Sequence, residues 1–381
     1  MSAAQAGVLI VEDSETVIGL LTRAIENEPR LVLRGVARNG KQAVEMAQKL
    51  NPDVITMDIV MPHLDGVSAI REIMATAPVP IVVVTALSAS EVSFEALQAG
   101  AVEVVEKPRL MASGGNSGST DLLRLVNTIR IMADVKVVRR NRWRVDGPPA
   151  AKRSRWRVEG SVIGGSPSAA RRTAVVEPPR SGLRVYPGTP PAPRLVAIAA
   201  STGGPASYRR ILKGLPASFP LPILAVQHIS KGFGAGLVKW LDAELELKVV
   251  LARDGDQPTA GTVYFAPDDK HLVLGSAGRL VLSGAMPVGA HRPSADVLFE
   301  SVAHALGRSA LGIIMTGMGS DGANGILKLA DYGGYCVAQD ETSSVVFGMP
   351  KSAIEAGAIH RVLSLDQIAY YLQRVGNEAA H

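Results

Sequence analysis

The chain has 381 residues, 47% of them hydrophobic and 20% charged, with seven histidines and a single cysteine, Cys336. That balance excludes wholesale disorder, and the length accommodates two domains of roughly 150 residues with chain to spare. A lone cysteine excludes an internal disulfide or a Cys-cluster zinc site, and no apolar run approaches the roughly 18 residues of a membrane span.

Val8-Leu9-Ile10-Val11 follows the N-terminus almost at once, without a basic flank or a small-residue cleavage site, so the expected location is the cytoplasm. Short apolar runs at 8–12, 31–37, 53–57, 80–84 and 102–105 predict buried parallel strands. Helical periodicity fills the intervals at 15–28, 40–49, 66–75 and 89–98, and returns at 121–136, where Leu122, Leu125, Val126, Ile129 and Met132 share a face. The alternation predicts a flavodoxin-like (βα)5 domain over 6–136.

In such sheets functional groups gather at the carboxyl ends of strands. Those ends carry Glu12 and Asp13 after the first strand, Asp58 after the third, Thr85 after the fourth and Lys107 after the fifth. Three carboxylates on one edge repel unless a hard cation sits among them, and Mg²⁺ is the natural occupant of an all-oxygen site. A carboxylate beside Mg²⁺ can accept a phosphoryl group when a hydroxyl and an ammonium neutralise the transferred charge.

Residues 137–193 carry twelve Arg and Lys against three acidic residues, a net +9, so the rest of the chain is −4 within the overall +5. This Pro-, Gly- and Ser-rich stretch sustains neither strand nor helix periodicity and is expected to be a linker. It repeats Arg142-Trp-Arg-Val-Asp-Gly147 as Arg155-Trp-Arg-Val-Glu-Gly160, too few copies for a repeat fold. A solubilising tether is the simpler reading of its charge, so nucleic acid is not an expected partner.

Beyond the linker, 195–200, 222–227 and 311–316 are again apolar strand runs that end in turns, and 261–283 has the alternation of antiparallel hairpin material. A second doubly wound α/β domain, mainly parallel with a small antiparallel hairpin, is expected over 194–377. Its first strand ends at Ser201-Thr-Gly-Gly-Pro205, where a helix N-terminus offers free N–H groups to an oxyanion. The glycines could equally cradle a phosphate, although neither a P-loop nor a G-x-S-x-G elbow is present. The second strand run ends at His228, and the third leads through Gly317-Met318-Gly-Ser to Asp321. Ser201, His228 and Asp321 thus supply a nucleophile, a base and an acid that fixes the base's tautomer. Cys336 reads as a small core residue, Trp240 as packing and His271 as surface. His291 and Arg292 read as either cleft-lining or structural.

Glu12-Asp13, Asp58-Ile-Val-Met-Pro-His-Leu-Asp-Gly66, Thr85 and Lys107-Pro108 resemble the response-regulator receiver family. The resemblance implies that Asp58 is the phospho-acceptor. Asp13, Glu12 through water and the Val60 carbonyl would then hold Mg²⁺, and Thr85 and Lys107 would contact the phosphoryl oxygens. It implies a chemotaxis histidine kinase as phosphodonor. Glu12 stands where receivers more often carry Asp, and Val104 where they carry Tyr or Phe, which argues against an aromatic rotamer switch. Ala200-Ser-Thr-Gly-Gly-Pro205, Gln227-His228, His291-Arg-Pro-Ser294, Thr316-Gly-Met-Gly-Ser-Asp-Gly322, Gln339-Asp-Glu341 and Gly348-Met-Pro-Lys351 resemble the chemotaxis protein-glutamate methylesterase family.

That second resemblance implies hydrolysis of glutamate γ-methyl esters, and deamidation of selected glutamines, on chemoreceptor cytoplasmic helices. Ser201, His228 and Asp321 would be catalytic, backbone donors near Thr202 and Met318 would serve the oxyanion, and hydrolysis would need no cofactor. Two rivals remain open at this stage: a receiver-controlled binding regulator using the basic linker, and the same esterase serving a non-chemotaxis sensory array.

Overall fold

The computed structural model describes residues 5–61, 65–86, 91–108, 117–135 and 193–379. The 137–193 linker expectation, with its Arg/Trp repeat, lies outside the described residues except for Pro193. The first domain alternates β1 (Ala6–Val11), α1 (Glu15–Glu26), β2 (Leu31–Ala37), α2 (Gly40–Leu50), β3 (Val54–Met57), α3 (Gly66–Thr76), β4 (Ile81–Thr85), α4 (Glu91–Ala99), β5 (Glu103–Glu106) and α5 (Ser117–Met132). Its sheet is parallel, in the order β2-β1-β3-β4-β5. Chain direction across the sheet reverses between β1 and β3, which sets Glu12, Asp13 and Asp58 around one crevice.

The apolar runs are continuous because both faces of the sheet are covered. β3 and β4 are buried at every position. Two polar caps fix where helices begin: the Asn39 side chain accepts from Gln42 N–H and Asp65 from Ser68 N–H. Gly66 is required by a close approach, since a Cβ there would collide with the Asp58 carbonyl and the Ile59 backbone. Glycine at that point lets α3 start directly against the Asp58 loop.

The second domain runs β6 (Leu195–Ala200), α6 (Gly204–Leu212), β7 (Ile223–Gln227), α7 (Gly234–Glu244), β8 (Lys248–Leu251), β9 (Thr262–Phe265), β10 (His271–Leu274), β11 (Leu280–Ser283), α8 (Ala295–Leu306), β12 (Ala310–Ile314), α9 (Ala323–Asp331), β13 (Tyr335–Gln339), α10 (Met349–Glu355), β14 (Arg361–Leu363) and α11 (Leu365–Ala379). Seven strands form one parallel sheet, in the order β14-β13-β12-β6-β7-β9-β8. β10 and β11 pair separately as an antiparallel hairpin.

The 261–283 expectation therefore needs correction. β9 belongs to the parallel sheet beside β7 and β8, and only its second half is a hairpin. Four residues buried at every position satisfy either pairing, so such a short run does not separate them. His271 is also not a surface residue: it is 1% exposed, beneath the segment that leads into α8. Cys336 lies in the core, where burial pushes its thiol well up. Trp240 packs as expected, but on a ring of the first domain, stacking with Phe94 at 5.7 Å between centroids.

Candidate functional site

The first site is the carboxyl edge of β1, β3, β4 and β5. One carboxylate oxygen from each of Glu12, Asp13 and Asp58 lies within 4.8 Å of the others. Glu12 and Asp58 are buried and Asp13 is exposed, so the cluster has one open side. The Lys107 ammonium lies 2.7 Å from Asp58 Oδ2 and 2.8 Å from Glu12 Oε2, and so neutralises part of the charge. Burial raises the Glu12 carboxyl pKa above its usual range, against the lowering pull of Lys107. Burial works to lower Lys107, but hydrogen bonds to Asp58 and Glu12 win and raise it. Backbone N–H groups of Ser14 and Val60 donate to Glu12 and Asp58 at 3.1 Å each. Lys107 N–H donates to the Thr85 carbonyl at 2.8 Å, fixing the end of β5 against β4. Three close carboxylates with an exposed side are a donor set that suits Mg²⁺.

The second site lies where direction reverses in the larger sheet, between β6 and β12. Ala200 pairs with Gln227, so Ser201 and His228 leave the sheet side by side from adjacent strands. Ser201 N–H donates to the Thr316 carbonyl at 3.0 Å, which brings the loop after β12 against the same turn. Gly203, at φ +76°, makes the turn into α6 and packs against Val345, leaving no room for a side chain. Two glutamines that the sequence motifs include without assigning them a role hold this edge together. Gln227 Nε2 donates to the Ser201 and His228 carbonyls at 2.7 and 2.8 Å, and Gln339 Oε1 accepts from Thr316 N–H at 2.8 Å.

Asp321 Oδ2 lies 2.8 Å from His228 Nε2. At that distance the imidazole acts directly on the carboxylate, and Nδ1 of His228 has no hydrogen-bond partner among the described residues. Ser201 is thus a strand neighbour of the imidazole without being hydrogen-bonded to it. The carboxylate itself is tightly held: it accepts from Ser294 Oγ at 2.7 Å, Ala295 N–H at 2.7 Å and Asp296 N–H at 3.3 Å. Burial works to raise its pKa, yet the facing imidazole and these donors hold it down to about 2. Asp296 returns the favour to the next helix, accepting from Gly322 and Gly325 N–H at 2.9 and 2.7 Å. The helices α8 and α9 therefore cap each other with exchanged carboxylates.

Two more histidines belong to this neighbourhood. The His291 ring stacks on His228, with centroids 4.1 Å apart and planes 10° from parallel. His271 Nδ1 accepts from Ser294 N–H at 3.2 Å while its Nε2 lies 3.2 Å from the Met286 carbonyl. That pairing selects the neutral Nε2–H tautomer. His271 thereby supports Ser294, and Ser294 supports Asp321.

The first domain touches this site on one side. The Thr202 hydroxyl donates to Glu103, the first residue of β5. Burial lifts the Glu103 carboxyl to about 7, against the pull of Thr202 and of Val104 N–H. Asn127 Nδ2, on α5, reaches Met318 Sδ at 3.7 Å. Gln98 and Glu244 bond at 3.3 Å beside the Phe94–Trp240 stack.

Comparison with known proteins agrees with this division. The response regulator receiver domain model matches residues 8–112, and the CheB methylesterase model matches residues 196–372. The chain is therefore a response regulator whose output module is of the methylesterase class. A protein-glutamate methylesterase/protein-glutamine glutaminase of Myxococcus xanthus is 43% identical over 95% of this chain and 94% of its own length. One from Anaeromyxobacter dehalogenans is 42% identical over 97% of this chain and 96% of its own. The crystal structure of the Thermotoga maritima CheB methylesterase catalytic domain is 39% identical and covers 48% of this chain and 98% of that one, with a TM-score of 0.47. This chain belongs to the protein-glutamate methylesterase/protein-glutamine glutaminase family. Among the described residues no helix is long and apolar enough to cross a membrane.

Proposed function

We propose that the protein hydrolyses γ-methyl esters of glutamate side chains on chemoreceptor cytoplasmic helices, and deamidates selected glutamines there, by Ser-His-Asp acyl transfer. The working division is a receiver over 6–136, a basic connector over 137–193 and a catalytic domain over 194–377. The observation that carries the reading is the His228–Asp321 contact of 2.8 Å, one strand from Ser201.

Nε2 of His228 faces the carboxylate, which leaves Nδ1 as the nitrogen for the serine proton. Ser201 Oγ attacks the ester carbonyl as Nδ1 takes its proton. The imidazolium that forms is stabilised by Asp321, which stays ionised because its donors already stabilise the anion. Backbone N–H groups around Thr202 and Met318 receive the oxyanion. The tetrahedral intermediate collapses, Nδ1–H protonates the departing methoxide, and methanol leaves an acyl-serine. Water, deprotonated by the same nitrogen, then cleaves that ester and releases the glutamate carboxylate. A glutamine substrate follows the same path with ammonia as the leaving group.

Asp58 is the proposed phospho-acceptor, with a chemotaxis histidine kinase as donor. Glu12, Asp13 and Asp58 would hold Mg²⁺, which offsets phosphoryl charge, and Thr85 and Lys107 would contact its oxygens. The unphosphorylated receiver restrains the catalytic site: Glu103 and Asn127 hold Thr202 and Met318, the two residues assigned to the oxyanion. With Val104 in the usual aromatic position, β5 itself connects Lys107 to Glu103 and offers a direct route between the pockets.

The test is release of radiolabelled methanol from methylated receptor membranes, with and without a small phosphodonor. Wild type should release methanol faster with the donor, and Ser201→Ala should fall at least about 10³-fold. Asp58→Asn should keep the basal rate and lose the stimulation. Ester hydrolysis persisting in Ser201→Ala would overturn the mechanism.

A further inference from the structure

The segment between β11 and α8 has a use that the acyl-transfer chemistry leaves unassigned. Residues 284–290 are seven consecutive exposed positions, Gly-Ala-Met-Pro-Val-Gly-Ala, without one charged or hydrogen-bonding side chain. Met286 is 83% exposed, more than any other large hydrophobic among the described residues, and Val288 is 41% exposed. Water-facing apolar side chains in a row are a cost that a monomeric surface ordinarily avoids.

This loop is also held in one shape. Val288 and His291 exchange backbone hydrogen bonds of 3.1 and 3.0 Å across a turn in which Gly289 takes φ +59°. The Met286 carbonyl is met by the buried His271, and the Ala285 carbonyl accepts from Arg292 Nη1 at 3.1 Å. Every anchor is a main-chain group pulled inward, so the apolar side chains are presented outward. A pre-shaped apolar loop loses little conformational entropy when it binds.

Its position indicates what it binds. The loop ends at His291, whose ring lies on the catalytic imidazole, so it continues directly into the site. The receiver meets this neighbourhood at Thr202 and Met318, and Met286 and Val288 remain exposed. A small ester would be fully served by the cleft, whereas a glutamyl ester projecting from a helix brings neighbouring turns with it. Residues three and four positions away on that helix lie on the same face as the ester. The Lys270 ammonium lies next to Gly284 at the loop's base, a cation facing a helix whose reacted side chains are carboxylates.

Resting on the methylesterase reading, we propose that residues 284–290 form the docking rim for the substrate helix. In this arrangement Met286 and Val288 seat against apolar side chains one turn from the esterified glutamate. The rim fixes which glutamates are presented to Ser201 and takes no part in bond making.

Full-length Met286→Asp, Val288→Asp and the double variant would be assayed on two substrates, methylated receptor membranes and the γ-methyl ester of N-acetylglutamate. The expected result is a rise of about tenfold or more in KM for the receptor, with kcat within about twofold and hydrolysis of the small ester unchanged. Both positions are exposed, so folding is preserved and Met286→Ala supplies a milder check. An unchanged receptor KM overturns the proposal. Equal losses on both substrates overturn it too, because the loop would then act through His291 on the catalytic ring. A gain on both substrates would mean that part of this chain occupies the rim, and would likewise overturn it. Absence of methanol release by wild type would instead fell the methylesterase reading, and the docking proposal with it.

Discussion

The two domains place their polar groups at the same location, the carboxyl edge of a parallel sheet where strand order reverses, and treat charge there in opposite ways. The receiver crowds Glu12, Asp13 and Asp58 together and offsets them with one ammonium and room for a hard cation. The catalytic domain has a single carboxylate at its centre and surrounds it with fixed donors from a helix N-terminus. Crowding makes an anionic cluster whose donors suit a hard cation. Encirclement holds the Asp321 carboxyl ionised beside the His228 imidazole. One sheet edge thus serves either chemistry, according to whether its carboxylates face one another or face N–H groups.

Paired substitutions test that contrast most severely. Asp321→Asn should lower kcat by about 10³- to 10⁴-fold and also lower Tm, because α8 loses its anionic cap. Asp58→Asn should leave Tm unchanged or raised, since it relieves a crowded cluster. Equal Tm changes in differential scanning calorimetry would break the comparison. The sign of the acid response follows from the same carboxylate. Asp321 is held to about 2, so its contribution to stability is complete above the ordinary carboxylate range, near 3.8, and is lost as pH falls toward 2.

A smaller effect concerns the seam between the domains. On the proposed restraint, the Glu103 carboxyl is raised from 4.5 to about 7 where it meets Thr202 and falls back toward 4.5 on release. Docking therefore takes up a proton between those values and weakens as pH rises toward 7. The basal rate of unphosphorylated wild type should climb several-fold relative to Glu103→Gln between about pH 6 and about pH 8. A constant ratio of the two rates would remove Glu103 from the restraint. The smallest change is at Ser294, the N-cap of α8, whose hydroxyl donates to Asp321. Ser294→Ala should cost about 1 kcal/mol of stability and a few-fold in kcat, read from chemical denaturation and initial rates.

Much of this was legible in the sequence because buried parallel strands advertise themselves as short apolar runs, and their ends name the candidate positions. Asp58, Ser201, His228 and Asp321 were each found at a strand end or on the loop beyond it. The placement of β9 was not, because so short a run fits a parallel ladder and a hairpin alike. His271 was misread because its burial depends on Ser294 and Met286, 23 and 15 residues away, which no local pattern reports. The exchange of Asp296 and Asp321 between α8 and α9, and the meeting of Glu103 with Thr202, are likewise products of tertiary approach. Periodicity finds the strands and their ends, but which donors gather around a carboxylate is decided by packing.

The interlocked caps of α8 and α9 have an evolutionary corollary. On the proposed mechanism, a descendant of this fold that abandoned catalysis could shed Ser201 freely, since its hydroxyl makes no other described hydrogen bond. It could not as easily shed the aspartate, which also secures the start of a helix. Degenerate relatives should accordingly retain the acid after the nucleophile has gone, and its survival alone would be poor evidence of an active enzyme.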